Sequence, residues 1–163
     1  MEIQKVYDLS MEFSQTIWNQ VVTWNFFERD TLGKQIVRSA DSISANLKEG
    51  LGRYSYRDRN QFYIYSRGSL FETHCWLEKA FARNLISQDK FDGLLMDHDT
   101  LHLEINRMIS NTRIQSSKWL ESHHPTFSSR SEPISSAQPN QLVSEANQLA
   151  NAVSLLARRS RAN

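Results

Sequence analysis

The sequence predicts an all-α protein: an antiparallel up-down-up-down four-helix bundle, then a flexible linker and an additional C-terminal amphipathic helix. Three observations carry this expectation. Four segments repeat their apolar residues every three or four positions, the period of a helix with one buried face. Turn residues are scarce, with five Gly and three Pro in 163 residues, whereas a many-stranded protein needs turn chemistry roughly every 8–12 residues. Short connections between the segments favour antiparallel neighbours. A chain of this length buries a sizeable core.

The first helix is expected from about Ile3 to Phe27. Ile3, Val6, Ser10, Phe13, Ile17, Val21 and Trp24 form its seam, and Trp18 and Val22 widen it. Asp30 or Thr31 offers an N-cap for the second helix, whose seam is Leu32, Ile36, Ala40, Ile43 and Leu47. That helix should stop at Gly50 to Gly52, where a glycine can take the left-handed C-terminal conformation. The third helix begins near Arg57 and runs to Asn84, with Phe62, Tyr63, Ser66, Leu70, Thr73, Leu77, Ala80 and Phe81 on one broad face. Ser87 caps the fourth, which continues through Phe91, Leu94, Leu95, His98, Leu101, Ile105, Met108 and Ile109 to about Trp119.

The bundle therefore occupies residues 1–121. Residues 122–140 read SHHPTFSSRSEPISSAQPN and hold all three prolines, the composition of a flexible linker without a packed core. Residues 141–163 carry a narrow heptad-like stripe of Leu142, Ala146, Leu149, Val153 and Leu156, closed by arginines. A helix this short is marginal alone in water. Leu142, Leu149, Val153, Leu156, Arg158 and Arg159 are therefore the candidates for docking a partner, which includes a neighbouring subunit. The arginines also complement the helix dipole.

The net charge of +1 excludes a global basic excess, so any nucleic-acid case rests on where charges sit. Between Lys34 and Arg67 lie seven basic residues (Lys34, Arg38, Lys48, Arg53, Arg57, Arg59, Arg67) against three acidic ones, and between Gln88 and Glu104 five acidic residues stand against Lys90. Opposite regions on one subunit suit head-to-tail contacts between copies, which close into rings when the rotation allows. The same basic region suits phosphates. Around Arg53, Arg57 and Arg59 the arginines alternate with Tyr54 and Tyr56, a mix that suits single-stranded nucleic acid because bases stack on rings while cations hold the backbone.

Helix two carries a second stripe, a polar one, of Gln35, Ser39, Ser42, Asn46, Glu49 and Arg53. It reads either as a small-residue crossing inside one subunit or as a polar contact with another subunit or a ligand. Glu49 and Glu72 look like structural partners of Arg38 or Arg53 across two helices rather than a general acid and base. His98 and His102 have a spacing that can place two imidazoles on one metal, but no third ligand stands nearby in sequence. His98 is expected to be a hydrogen-bonded seam histidine. Cys75 is expected to be a half-buried packing thiol, and a single cysteine rules out an internal disulfide framework and fits a reducing compartment. No signal peptide, membrane span, cofactor motif, metal site or catalytic constellation is read, so the expectation is a non-enzymatic cytoplasmic protein with no cofactor.

The stretch LGKQIVRSADSISANLKEGLGR (Leu32 to Arg53), followed by QFYIYSRGSLFETHCWLEKA (Gln61 to Ala80), resembles the bacterial four-helix bundle protein family. That family includes the protein encoded by intervening sequences of 23S ribosomal RNA genes and the accessory variability protein of diversity-generating retroelements. Gln35, Arg38, Ser39, Ser42, Ile43, Asn46, Glu49, Gly50, Gly52 and Arg53 match its helix-two pattern. Phe62, Gly68, Ser69, Leu70 and Glu72 match its helix-three pattern, and the likeness covers roughly residues 1 to 120. The resemblance implies a homopentameric ring of such bundles and, for the retroelement member, binding of RNA and a reverse transcriptase through a basic surface. On these grounds Arg38, Lys48, Arg53, Arg57, Arg59 and Arg67 are the candidate RNA contacts. Gln35, Ser39, Ser42, Asn46, Glu49, Ser69 and Glu72 form the oligomer or structural polar cluster. The alternative expectation is a protein-only scaffold that docks a protein partner with its C-terminal helix.

Overall fold

Val6, Ser10, Phe13, Ile17 and Val21 recur at helical spacing, and all are buried on one face of α1 (Ile3–Val21) in the computed structural model, which describes residues 3–123. The helix stops earlier than its apolar period suggests. Thr23 Oγ1 donates to Gln20 O at 2.7 Å, and the Thr23 and Trp24 amides fall back to carbonyls three residues earlier. Such local bonds compete with helix continuation. Trp24 still reaches the core, because its indole Nε1 donates to Leu85 O at 3.1 Å.

Asn25, in an extended conformation, opens α2 (Phe26–Glu28). The chain passes through one wide π-type turn (Arg29–Gly33) directly into α3 (Lys34–Leu51). The expected cap at Asp30 or Thr31 does not form. Thr31 Oγ1 instead donates to Phe27 O at 2.7 Å, and Asp30 pairs with Lys34. Gly33 makes room for this turn, since a Cβ there would stand 2.8 Å from Val21 Cγ1.

The glycines at the end of α3 also behave differently from expectation. Gly52 is right-handed at φ −76°, and Gly50 is buried because the next helix, α4 (Tyr56–Ala82), lies against it: a Cβ on Gly50 would meet Tyr63 Cε1 at 2.7 Å. Close approach, not turn geometry, is why glycine stands there. The left-handed residue is Asn84, at φ 58°, just beyond α4. The Leu85 amide bonds Ala80 O and the Asn84 amide bonds Phe81 O, both at 2.9 Å. Those two bonds make a Schellman end, in which asparagine replaces the usual glycine.

Ser87 Oγ accepts the Lys90 amide at 3.4 Å at the start of α5 (Gln88–His123), which runs past the expected Trp119. α3 packs on both α1 and α4. Between α4 and α5, Phe81 stacks on Phe91, His74 lies beside His98, Phe71 meets His102, and Arg67 reaches Asn106. The described residues thus form an all-helical bundle, without strands, around one apolar core. The compact unit ends at Trp119. Ser122 and His123, expected to open the linker, instead close α5; the rest of the predicted linker and the C-terminal helix, with Leu142, Leu149, Val153, Leu156, Arg158 and Arg159, lie outside the described residues.

Candidate nucleic-acid interface

The loop between α3 and α4 is built by short-range polar bonds. Ser55, extended at ψ 142°, caps α4 by accepting the Asp58 amide at 3.0 Å. The next turn brings Arg59 back over the loop, where Nη2 donates to Arg53 O at 3.1 Å and the guanidinium lies 5.6 Å from the Tyr56 ring. Arg53 pairs with Glu49 one turn earlier and sits 4.4 Å over the Phe62 ring. Phe62 in turn meets Tyr65 edge-on at 5.7 Å. Cations and rings are thus interleaved, and the Arg53 and Arg59 guanidiniums are each steadied by a ring face. Arg57 is exposed with no ion-pair partner among the described residues, and the Tyr54 ring stands wholly in solvent at 103% exposure.

Beneath the loop, Tyr63 is completely buried. Its hydroxyl, Arg59 Nε and Asn60 Oδ1 find no hydrogen-bond partner among the described residues. Burial pushes the Tyr63 phenol above its ordinary pKa, opposed in part by the Arg59 charge.

The other predicted basic residues point elsewhere. Lys48 Nζ lies 4.8 Å over Tyr7 of α1, and Arg67 Nη1 donates to Asn106 Oδ1 of α5 at 2.9 Å. Arg38 is exposed without an ion-pair partner among the described residues, but it lies roughly 20 Å along α3 from the loop at 1.5 Å per residue. The structure therefore places Arg53 in the loop and Arg57 and Arg59 in the adjoining first turn of α4, and distributes Arg38, Lys48 and Arg67 along the bundle. Sequence reasoning missed Ser55, Tyr7 and Asn106. The first was legible as a serine three residues before Asp58; the other two meet their partners only through packing.

The polar row on α3 divides. Ser39 is buried at the α3–α4 crossing, where Thr73 Oγ1 stands 3.0 Å from Ser39 Oγ and 2.8 Å from Ser69 O. Ser66 donates to Ile43 O at 2.8 Å in the same crossing. Asn46 donates to Ser42 O and lies 3.5 Å from Ser69 Oγ; both Asn46 and Ser42 are half-buried. Gln35, Glu49 and Glu72 are exposed. Glu49 and Glu72 do not pair across helices as expected. Glu49 holds Arg53 on the adjoining turn, and Glu72 accepts from Trp76 Nε1 at 3.3 Å on its own helix. Each meets a neighbour four residues away because those positions face each other on a helix.

His98 is 4% exposed, with Nδ1 3.0 Å from Asp99 Oδ1 and Nε2 buried without a partner among the described residues. His74 and His102 lie with ring centroids 4.8 Å and 6.2 Å from it. Burial lowers its pKa; the Asp99 hydrogen bond and charge oppose the shift, and His74 and His102 add to it. Among the described residues no group of three or more His, Cys, Asp or Glu side chains is placed to hold a metal ion. Cys75 is exposed rather than half-buried, because the core side of α4 falls to Thr73 and Leu77. No helix among the described residues is long and apolar enough to cross a membrane.

The profile of the 23S rRNA-intervening sequence protein family matches residues 2–111. No curated protein matches the chain. A crystal structure from Bacteroides thetaiotaomicron, of a protein of unknown function from the S23 ribosomal protein family, shares 25% identity. It aligns over 68% of this chain and 99% of its own, with a TM-score of 0.61. The matched span takes in α1, α3, α4 and most of α5, together with the Arg53–Arg59 loop, and the chain belongs to the 23S rRNA-intervening sequence protein family.

Proposed function

We propose that this chain is a non-enzymatic, cytoplasmic RNA-binding accessory protein that assembles as a homo-oligomeric, pentameric ring of antiparallel four-helix bundles. In a diversity-generating retroelement it would be the partner of a reverse transcriptase. The observation that carries the RNA reading is the α3–α4 junction: Arg53, Arg57 and Arg59 lie within seven residues among aromatic rings, and among the described residues neither Arg57 nor Arg59 has an acidic partner. Phosphates are held by such guanidinium forks. The family's name supports an RNA-related role. Antiparallel order is supported by the contact pairs, because positions on α5 rise as those on α4 fall, from Phe81–Phe91 to Arg67–Asn106. Exposed Arg38 and half-buried Ser42 and Asn46 leave part of α3 for a neighbouring subunit.

The test is RNA affinity across a salt series. Neutralising Arg53, Arg57 and Arg59 together to Gln should weaken binding strongly and flatten the log–log salt slope by about 2, at ~0.7 per phosphate contact on a single strand. Unchanged affinity and slope would reject the reading.

One observation favours the protein-only scaffold as a second reading. Trp18, Val22, Phe26 and Phe27 are exposed within a short stretch of chain, and large exposed apolar residues close together mark protein contacts. On this reading, deleting residues 141–163 abolishes capture of a protein partner while assembly survives. Retained capture by the truncated chain removes its support.

A further inference from the structure

We propose that Tyr54 is a stacking platform for an unpaired nucleobase, which makes the ligand of the α3–α4 loop single-stranded RNA rather than duplex. This rests on the RNA reading above and names its ligand class.

The argument begins with what each ring in the loop does. Tyr56 lies beneath Arg59, and Phe62 lies beneath Arg53 and meets Tyr65 edge-on. Tyr54 alone of these has no ring or cation against it among the described residues, and at 103% its exposure exceeds that of every other large apolar or aromatic side chain described. Leaving both faces of a phenol in water forgoes its burial. A tyrosine on a mobile loop would need no explanation, but this loop is pinned on both sides. The Arg53 amide donates to Gly50 O at 3.1 Å, and Arg53 O accepts Arg59 Nη2 at 3.1 Å. Ser55 Oγ accepts the Asp58 amide, and Ser55 O accepts the Arg59 amide, both at 3.0 Å. The backbone that carries the ring is thus ordered before any ligand arrives, so little entropy remains to be lost on binding.

The surroundings select the occupant. Arg57, three residues on, is exposed and has no ion-pair partner among the described residues, and Arg53 adjoins the tyrosine. A flat apolar face flanked by cations complements a flat base flanked by phosphates. In a duplex the faces of the bases are covered by their neighbours, so a single protruding ring has nothing to stack on. The platform therefore reads strand state and not sequence.

The experiment uses the full chain, a labelled oligouridylate and a labelled RNA duplex of equal length. Tyr54→Ala should weaken oligouridylate binding by about 5- to 100-fold, in line with the contribution of one stacked base. Tyr54→Leu, which keeps apolar area without a π face, should behave like Tyr54→Ala, and Tyr54→Trp should restore binding. Duplex binding and the salt slope should not move, because no charge is removed. Equal losses on both probes, no loss on oligouridylate, or a changed native mass with unchanged RNA affinity would each overturn the proposal. If the wild type binds duplex but not oligouridylate, stacking fails and the RNA reading stands; if it binds neither probe, both fail.

Discussion

The missing side chain of Gly50 decides how closely α3 meets α4. A methyl there would stand 2.7 Å from Tyr63 Cε1 and 3.2 Å from Arg59 O, contacts that a buried tyrosine cannot escape. Gly50→Ala should therefore cost about 1–3 kcal/mol, the range for overpacked cores, as a lowered urea midpoint. Gly52→Ala, whose Cβ would meet only Glu49 O at 3.5 Å, should be near neutral in the same measurement. His98 sets a pH dependence. Its folded pKa is lowered by burial, so below the ordinary value of about 6.5 the unfolded chain binds the extra proton. Its stabilising contribution is complete above that pH and is lost as pH falls through 6.5 toward the folded value. The urea midpoint should drop between pH 7.5 and 5.5, and His98→Leu should flatten the drop. A wild-type midpoint that rises toward acid would contradict this assignment.

At the scale of elements, α3 and α4 are joined by small polar side chains as well as by apolar ones. Ser66 donates across the crossing to Ile43 O, and Thr73 meets Ser39. These bonds satisfy groups in a region where water is excluded, which is why hydroxyls are tolerated at full burial. The N-terminus of α4 depends on one of its own. Ser55→Ala removes the acceptor for the Asp58 amide and should lower stability by about 1 kcal/mol. It should also loosen the Arg53–Ser55 loop, visible as faster amide exchange there than in α3. Equal exchange in the variant would mean that the Arg59 clamp suffices to hold the loop.

At the scale of the whole molecule, the outer face of α4 carries a test of assembly. Gly68 is exposed in mid-helix, with nothing within 4 Å of where its Cβ would be. Inside one subunit a glycine there is a loss, and Gly68→Ala should stabilise an isolated chain by about 0.5–1 kcal/mol. In a ring that uses this face for close approach, the same change should lower the assembled fraction in native mass spectrometry. A stabilised variant with unchanged assembly would place the interface elsewhere.

Much of the fold was legible because helical period is a local property. Val6, Phe13, Ile17, Ile36, Ile43, Leu47, Leu70, Leu77, Leu94, Leu101 and Ile105 were read as seam residues, and all are buried. The Arg–Tyr loop was legible for the same reason, since its residues adjoin in sequence. What the sequence by itself determined was therefore which faces of the helices are apolar. Tertiary structure alone decided that His74 stands beside His98, that Arg67 is drawn to Asn106, and that Lys48 leans on Tyr7. Each of these depends on a partner many residues away, and that partner is chosen by how helices pack.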